Sequence, residues 1–133
     1  MSDFMLEIIT PEKEFFRQRV EAVSCRTPEG EVGVLAGHQP MAAVIEIGEL
    51  RIKQNGEWKN AFNSEGFMEV RPDEVLIFVQ SCEWPEDIDI ARAKAAKQRA
   101  EDKLQHIGSI TEQKINQISL VRAITRLKVS GGK

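Results

Sequence analysis

Trp84-Pro85-Glu86-Asp87-Ile88-Asp89-Ile90-Ala91-Arg92-Ala93 is the stretch where this chain changes character. Pro85 has no N–H and stops a strand ladder. Glu86 and Asp87 suit the first turn of a helix, where the dipole favours negative charge. From Ile88 onward the sequence is rich in Ala, Lys, Arg, Gln and Glu, all strong helix formers. Upstream lie short apolar runs separated by turn residues: Phe4 to Ile9, Val20 to Arg26, Glu31 to Leu35, Glu49 to Lys53, Trp58 to Phe62, Phe67 to Val70 and Glu74 to Gln80. Asn55-Gly56 is the strongest hairpin signal among the turns. Strands at this spacing predict an all-β sandwich or barrel. The chain therefore reads as a β domain over residues 1–84 and a helical domain over 85–133.

Charge follows the same boundary. Residues 1–87 hold 17 acidic and 8 basic side chains, a balance of −9, whereas residues 88–133 hold 4 and 10, a balance of +6. The two parts thus have different electrostatic partners, or each other. Cys25 and Cys82 each sit in an apolar run without a CxxC pattern, which argues against zinc and for two buried small apolar residues. His38 falls in a loop and His106 near a helix–helix turn, and neither has a carboxylate at ligand spacing on a shared face; solvated or capping roles are expected. Gly30, Gly33 and Gly37 lack the following Lys-Ser/Thr of a phosphate loop and read as turn glycines. No Ser-His-Asp or Cys-His arrangement is recognisable, so the residues offer no active site. No signal peptide and no membrane-spanning run is visible, giving the expectation of a cytosolic or peripheral protein.

Two helices are predicted beyond the boundary, with a break at Gly108-Ser109 and the second opening at Thr111 and Glu112. Ala93, Ala96, Ala100 and Leu104 form a narrow stripe that permits close helix approach. On the second helix, Leu120, Ala123, Ile124 and Leu127 lie on one side. Ile115, Ile118 and Val129 lie on the other, together with Arg122 and Arg126. Ser130-Gly131-Gly132-Lys133 is expected to be a frayed tail. Arg92 and Arg99 are seven residues apart and share a helix face, about 20° apart; Arg122 and Arg126 are four apart and do the same. If the helices fold back on each other, four guanidiniums converge near Asp89, an arrangement suited to a polyanion. The plain alternative is a solvated helix surface with short-range pairs such as Arg99 with Asp102. Nucleic acid is disfavoured, because residues 88–133 contain no aromatic side chain for stacking.

Gly30-Glu31-Val32-Gly33-Val34-Leu35-Ala36-Gly37-His38-Gln39-Pro40 resembles the signature loop of the epsilon subunits of bacterial F-type ATP synthases. Gly48-Glu49-Leu50-Arg51-Ile52, Gly66-Phe67-Met68-Glu69-Val70-Arg71-Pro72 and Glu86-Asp87-Ile88-Asp89 resemble three more of its segments. Ala36, Glu65, Trp84 and Pro85 depart from the common pattern. The resemblance implies a ten-stranded β-sandwich followed by an antiparallel two-helix hairpin. It implies a non-catalytic rotor subunit that couples proton translocation to ATP synthesis and inhibits ATP hydrolysis through the hairpin. Its partners are implied to be the gamma subunit, the c-subunit ring and the beta and alpha catalytic subunits, at the cytoplasmic face of the cell membrane, without membrane insertion. Ile88-Asp89-Ile90-Ala91-Arg92-Ala93 also fits the pattern by which some members bind ATP as a regulatory ligand. By that likeness Ile88 and Ala93 border the base with Glu83 nearby, Asp89 and Arg92 fix the site, and Arg99, Arg122 and Arg126 meet the phosphates. The residues do not decide whether magnesium accompanies the nucleotide. An adaptor whose basic hairpin binds an acidic partner and no nucleotide is the alternative.

Overall fold

A computed structural model describes residues 2–106 and 108–131. The chain divides into two compact units that part between Glu83 and Trp84. The first unit is a sandwich of two five-stranded sheets. Its strands are β1 (Phe4–Ile9), β2 (Glu14–Val20), β3 (Ala22–Thr27), β4 (Gly30–Leu35), β5 (Met41–Ile45), β6 (Gly48–Gln54), β7 (Glu57–Asn63), β8 (Gly66–Val70), β9 (Glu74–Val79) and β10 (Cys82–Glu83). One sheet runs β2-β1-β9-β8-β5 and the other β10-β7-β6-β3-β4. All neighbours are antiparallel except β1 and β9, which pair in parallel.

Alternation builds the core. Phe4, Leu6 and Ile8 face inward from β1, Leu50 and Ile52 from β6, and Val75 and Ile77 from β9, and all are buried. Glu21 alone separates β2 from β3 and turns the chain from one sheet to the other. Its N–H donates to the Lys53 carbonyl at 2.8 Å, and its carboxylate accepts from the Gly56 N–H at 2.7 Å. Asn55 and Gly56 both adopt positive φ, 55° and 77°, as the β6–β7 hairpin turn requires. Gly30 and Gly37 are turn glycines with φ of 112° and 79°.

Three strands were absent from the sequence reading. β2 is an edge strand that buries only Phe16 and Val20, so alternation is faint. β5 is a short apolar run without alternation, and β10 is two residues defined by pairing with β7.

The second unit starts with a 3-10 turn over Pro85–Asp87, followed by α1 (Ile90–Leu104) and α2 (Ile110–Ser130). The helix expected to open on Glu86 and Asp87 instead opens after Asp89. Pro85 fixes a short turn, in which Asp87 N–H donates to Trp84 O and Ile88 N–H to Pro85 O. α2 opens after its cap Ser109, one residue before the expected Thr111, because the Ser109 hydroxyl accepts from the Glu112 N–H at 3.1 Å. It runs through Ser130 and ends on Gly131 at φ 77°, so Ser130 and Gly131 are helix end and cap rather than frayed tail. Gly132 and Lys133 lie outside the described residues.

Candidate functional site

The two helices pack against each other. On α1 the alanine stripe does what its small size permits: Ala93 and Ala100 are buried, and Ala96 and Leu104 half-buried. On α2 the buried arc takes in Ala123, Leu127 and Val129. The expected division of α2 into two apolar sides is therefore redrawn. Val129 joins the buried arc, whereas Ile124 leaves it at 44% exposure, and Ile115 and Ile118 are exposed.

Asp89 is the N-cap of α1, and its carboxylate accepts the Arg92 backbone N–H at 3.0 Å. That bond sets the conformation of the whole Ile88–Ala93 stretch: Ile88 extended and buried, Asp89 extended, Arg92 in the first helical turn, Ala93 buried. Asp89, the acidic residue near which the sequence lets the four guanidiniums converge, is thus engaged with the main chain. Arg92 and Arg99 are both exposed, and among the described residues their guanidiniums have no hydrogen-bond or ion-pair partner. The pairing of Arg99 with Asp102 does not form; Asp102 instead accepts from Gln98 Nε2 at 3.0 Å. Arg122 and Arg126 are half-buried on α2, with Arg122 Nε withdrawn from solvent. Glu83 belongs to the other unit, on β10 opposite Phe62.

At the far end of the hairpin, His106 Nδ1 lies 2.7 Å from the Asp102 carbonyl oxygen and closes α1. A cleft of about 480 Å³ opens beside it, lined by Lys103, His106, Gly108, Glu112, Gln113 and Asn116, away from the Ile88–Ala93 stretch. In the sandwich, His38 Nδ1 sits 2.6 Å from the Leu35 carbonyl oxygen and Nε2 faces that of Arg71. This half-exposed histidine joins its loop to the β8–β9 turn. Cys25 and Cys82 are free and buried. Burial, then the nearby Glu31, pushes the Cys25 thiol up to about 11. Burial, then Glu83, pushes Cys82 up to about 12. Among the described residues no helix is long and apolar enough to cross a membrane.

A five-plus-five sandwich followed by two long helices defines a class of stalk subunit. Residues 3–85 match the β-sandwich domain, and residues 86–131 the long α-helix domain, of the ATP synthase delta/epsilon chain. The chain belongs to this family and groups within it with the bacterial ATP synthase epsilon chains. It is 44% identical to that of Ruminiclostridium cellulolyticum, over 98% of this chain and 97% of the relative. It is 45% identical to that of Caldicellulosiruptor saccharolyticus, over 97% and 94%. For Bacillus pumilus the identity is 41% over 98% and 99%. Among solved structures, a chain of the Euglena gracilis mitochondrial ATP synthase OSCP/F1/c-ring assembly superposes with a TM-score of 0.82 at 25% identity. That match covers 94% of this chain and 79% of the other. A chain of the Tetrahymena thermophila mitochondrial ATP synthase central stalk and c-ring shares the fold, with a TM-score of 0.67 at 16% identity over 96% of each chain. The protein is accordingly a non-catalytic subunit of the ATP synthase.

Proposed function

We propose that this subunit turns with the rotor, couples proton translocation to ATP synthesis, and restrains ATP hydrolysis through its C-terminal helices, with ATP as the ligand that holds the hairpin folded. The sandwich binds the gamma subunit and the c-subunit ring at the cytoplasmic face of the membrane, and the released hairpin reaches the beta and alpha subunits. The reading is supported chiefly by the Asp89 cap. It holds the Ile88–Ala93 stretch in one conformation beside two arginines, Arg92 and Arg99, whose guanidiniums are unengaged. Charged hydrogen bonds are worth about 1.5–3 kcal/mol each, so two or three of them reach the roughly −8 kcal/mol of micromolar binding after ordering costs.

The same arginines can pair with phosphates in the folded hairpin or with carboxylates of catalytic subunits when it extends. Calorimetry with ATP on the intact chain tests the nucleotide half of this proposal. Heat of binding is expected, and it should be abolished by Asp89→Ala with Arg92→Ala. Silence at millimolar ATP, or binding indifferent to those changes, leaves the adaptor that pairs with an acidic protein and takes no nucleotide.

A further inference from the structure

We infer that Asn55-Gly56 is a site of self-modification, where the side-chain amide is open to loss through a cyclic imide, and that the Glu21 carboxylate guards it. The two residues form the exposed tip of the β6–β7 hairpin. Glycine, with no side chain, leaves its own nitrogen unshielded there. The chemistry is internal to the chain. The Gly56 nitrogen gives its proton to solvent and attacks Asn55 Cγ. The N–Cγ bond forms, the Cγ–Nδ2 bond breaks, and ammonia leaves with a proton from solvent. Water then opens the five-membered ring at either carbonyl, giving aspartate or isoaspartate.

Two features of the fold oppose the attack. The first is the turn itself. Positive φ at both residues, 55° and 77°, is the signature of a type I′ turn. In that type ψ of the first residue is about 30°, which directs the Gly56 nitrogen away from Asn55 Cβ, opposite to the side that ring closure needs. The ring closes only if the turn is abandoned. The second feature is Glu21. Its carboxylate accepts the Gly56 N–H at 2.7 Å, and this is the main-chain nitrogen on which the reaction depends. A hydrogen bond to the protonated nitrogen stabilises the form that cannot attack, and the negative charge beside it disfavours the anion that can. Glu21 is itself held in place, since its N–H donates to the Lys53 carbonyl at 2.8 Å. Gln54 fastens the same corner, with Nε2 donating to Gln18 Oε1 at 2.8 Å and to the Arg19 carbonyl at 3.0 Å. The corner between β2 and β3 thus grips the hairpin on both sides of its tip. What the guard protects is register. Isoaspartate adds a methylene to the main chain inside the turn, against the pairing of Gln54 with Glu57 and Lys53 with Trp58. Aspartate keeps the main chain but sets a second carboxylate in the same corner as Glu21.

The inference is independent of the nucleotide reading. Its test ages the full chain at pH 8 and follows Asn55 by peptide mass and isoaspartate chromatography, with the same chain in urea as the unguarded reference. Native Asn55 should convert more slowly than in urea by about tenfold or more, because the turn must open first. Glu21→Gln keeps a carbonyl acceptor and removes the charge. Conversion in that variant is expected to rise about tenfold, the lower end of what a hydrogen bond to a charged group is worth. Hydrogen exchange of the Gly56 amide passes through the same nitrogen anion and should rise in step. Exchange at Glu57, paired with Gln54 across the turn, should stay unchanged. Native conversion as fast as in urea overturns the proposal, as does an unchanged rate at Asn55 or at Gly56 in Glu21→Gln. Equal acceleration at Glu57 overturns it too, in favour of a hairpin that is loosened throughout.

Discussion

A methyl group on residue 66 has nowhere to go. A Cβ built on Gly66 would lie 1.8 Å from the Phe78 carbonyl oxygen and 2.8 Å from the backbone of Phe78 and Val79. The obstacle is main chain of the paired strand, which cannot rotate away as a side chain can. Gly66→Ala should therefore part β8 from β9 and cost about 3 kcal/mol or more, at the upper end of overpacking penalties; urea unfolding of the sandwich measures it. The thiols make a second prediction at this scale. Folding disfavours both thiolates, so each folded pKa is raised, to about 11 for Cys25 and about 12 for Cys82, above the unfolded value of about 8.5. Their contribution to stability is complete below the unfolded value and is lost as pH rises through the folded ones. The urea midpoint should fall between about pH 8.5 and 11, and Cys25→Ala with Cys82→Ala should flatten that limb. Ellman's reagent at pH 8 should find no reactive thiol in the native chain and two after denaturation.

At the scale of elements, α2 buries one arc and leaves Ile110, Ile115, Ile118, Val121 and Ile124 exposed. Leu127→Ala should cost about 2–4 kcal/mol in the isolated chain, as a buried leucine does. Ile118→Ser should stay within about 0.5 kcal/mol, as exposed changes do. Helix content during urea unfolding separates them. Much of this architecture was legible because the signals were local. Glu49 to Lys53 alternates cleanly, Asn55-Gly56 demands its turn, and Gly108-Ser109 carries a cap. What escaped depended on distant partners. β2 shows few buried residues, and β10 exists only because Asn63 and Phe62 lie beside Cys82 and Glu83. The parallel pairing of β1 with β9 joins residues nearly seventy positions apart, such as Met5 with Glu74. The same limit applies at the hairpin. The Ile88–Ala93 pattern was readable, but Pro85-Glu86-Asp87 and Asp89 offered two competing helix starts. Only the observed backbone shows that Asp89 took the cap.

On the proposed mechanism the governing quantity for the whole molecule is the balance between folded and extended hairpin. ATP at a hundred times its dissociation constant stabilises the folded state by about 2.7 kcal/mol. Reversing a 1:99 population to 99:1 takes about 5.5 kcal/mol. On the proposed mechanism, then, ATP biases the switch and contacts with neighbouring subunits supply the rest. Removing residues 88–133 from the subunit in an otherwise complete ATP synthase should raise ATP hydrolysis while leaving assembly intact, because the sandwich forms a compact unit of its own. The full-length enzyme with Arg122→Ala and Arg126→Ala in this subunit should also lose restraint, since on the proposed mechanism the extended hairpin would then lack its cations. Arg92→Ala should act in the opposite sense if its main role is to hold ATP: the folded state loses its ligand, and inhibition persists to higher nucleotide concentration. Hydrolysis rates measured across a range of ATP concentrations distinguish the three. A truncated enzyme with unchanged hydrolysis would place the brake elsewhere in the complex, whatever the hairpin binds.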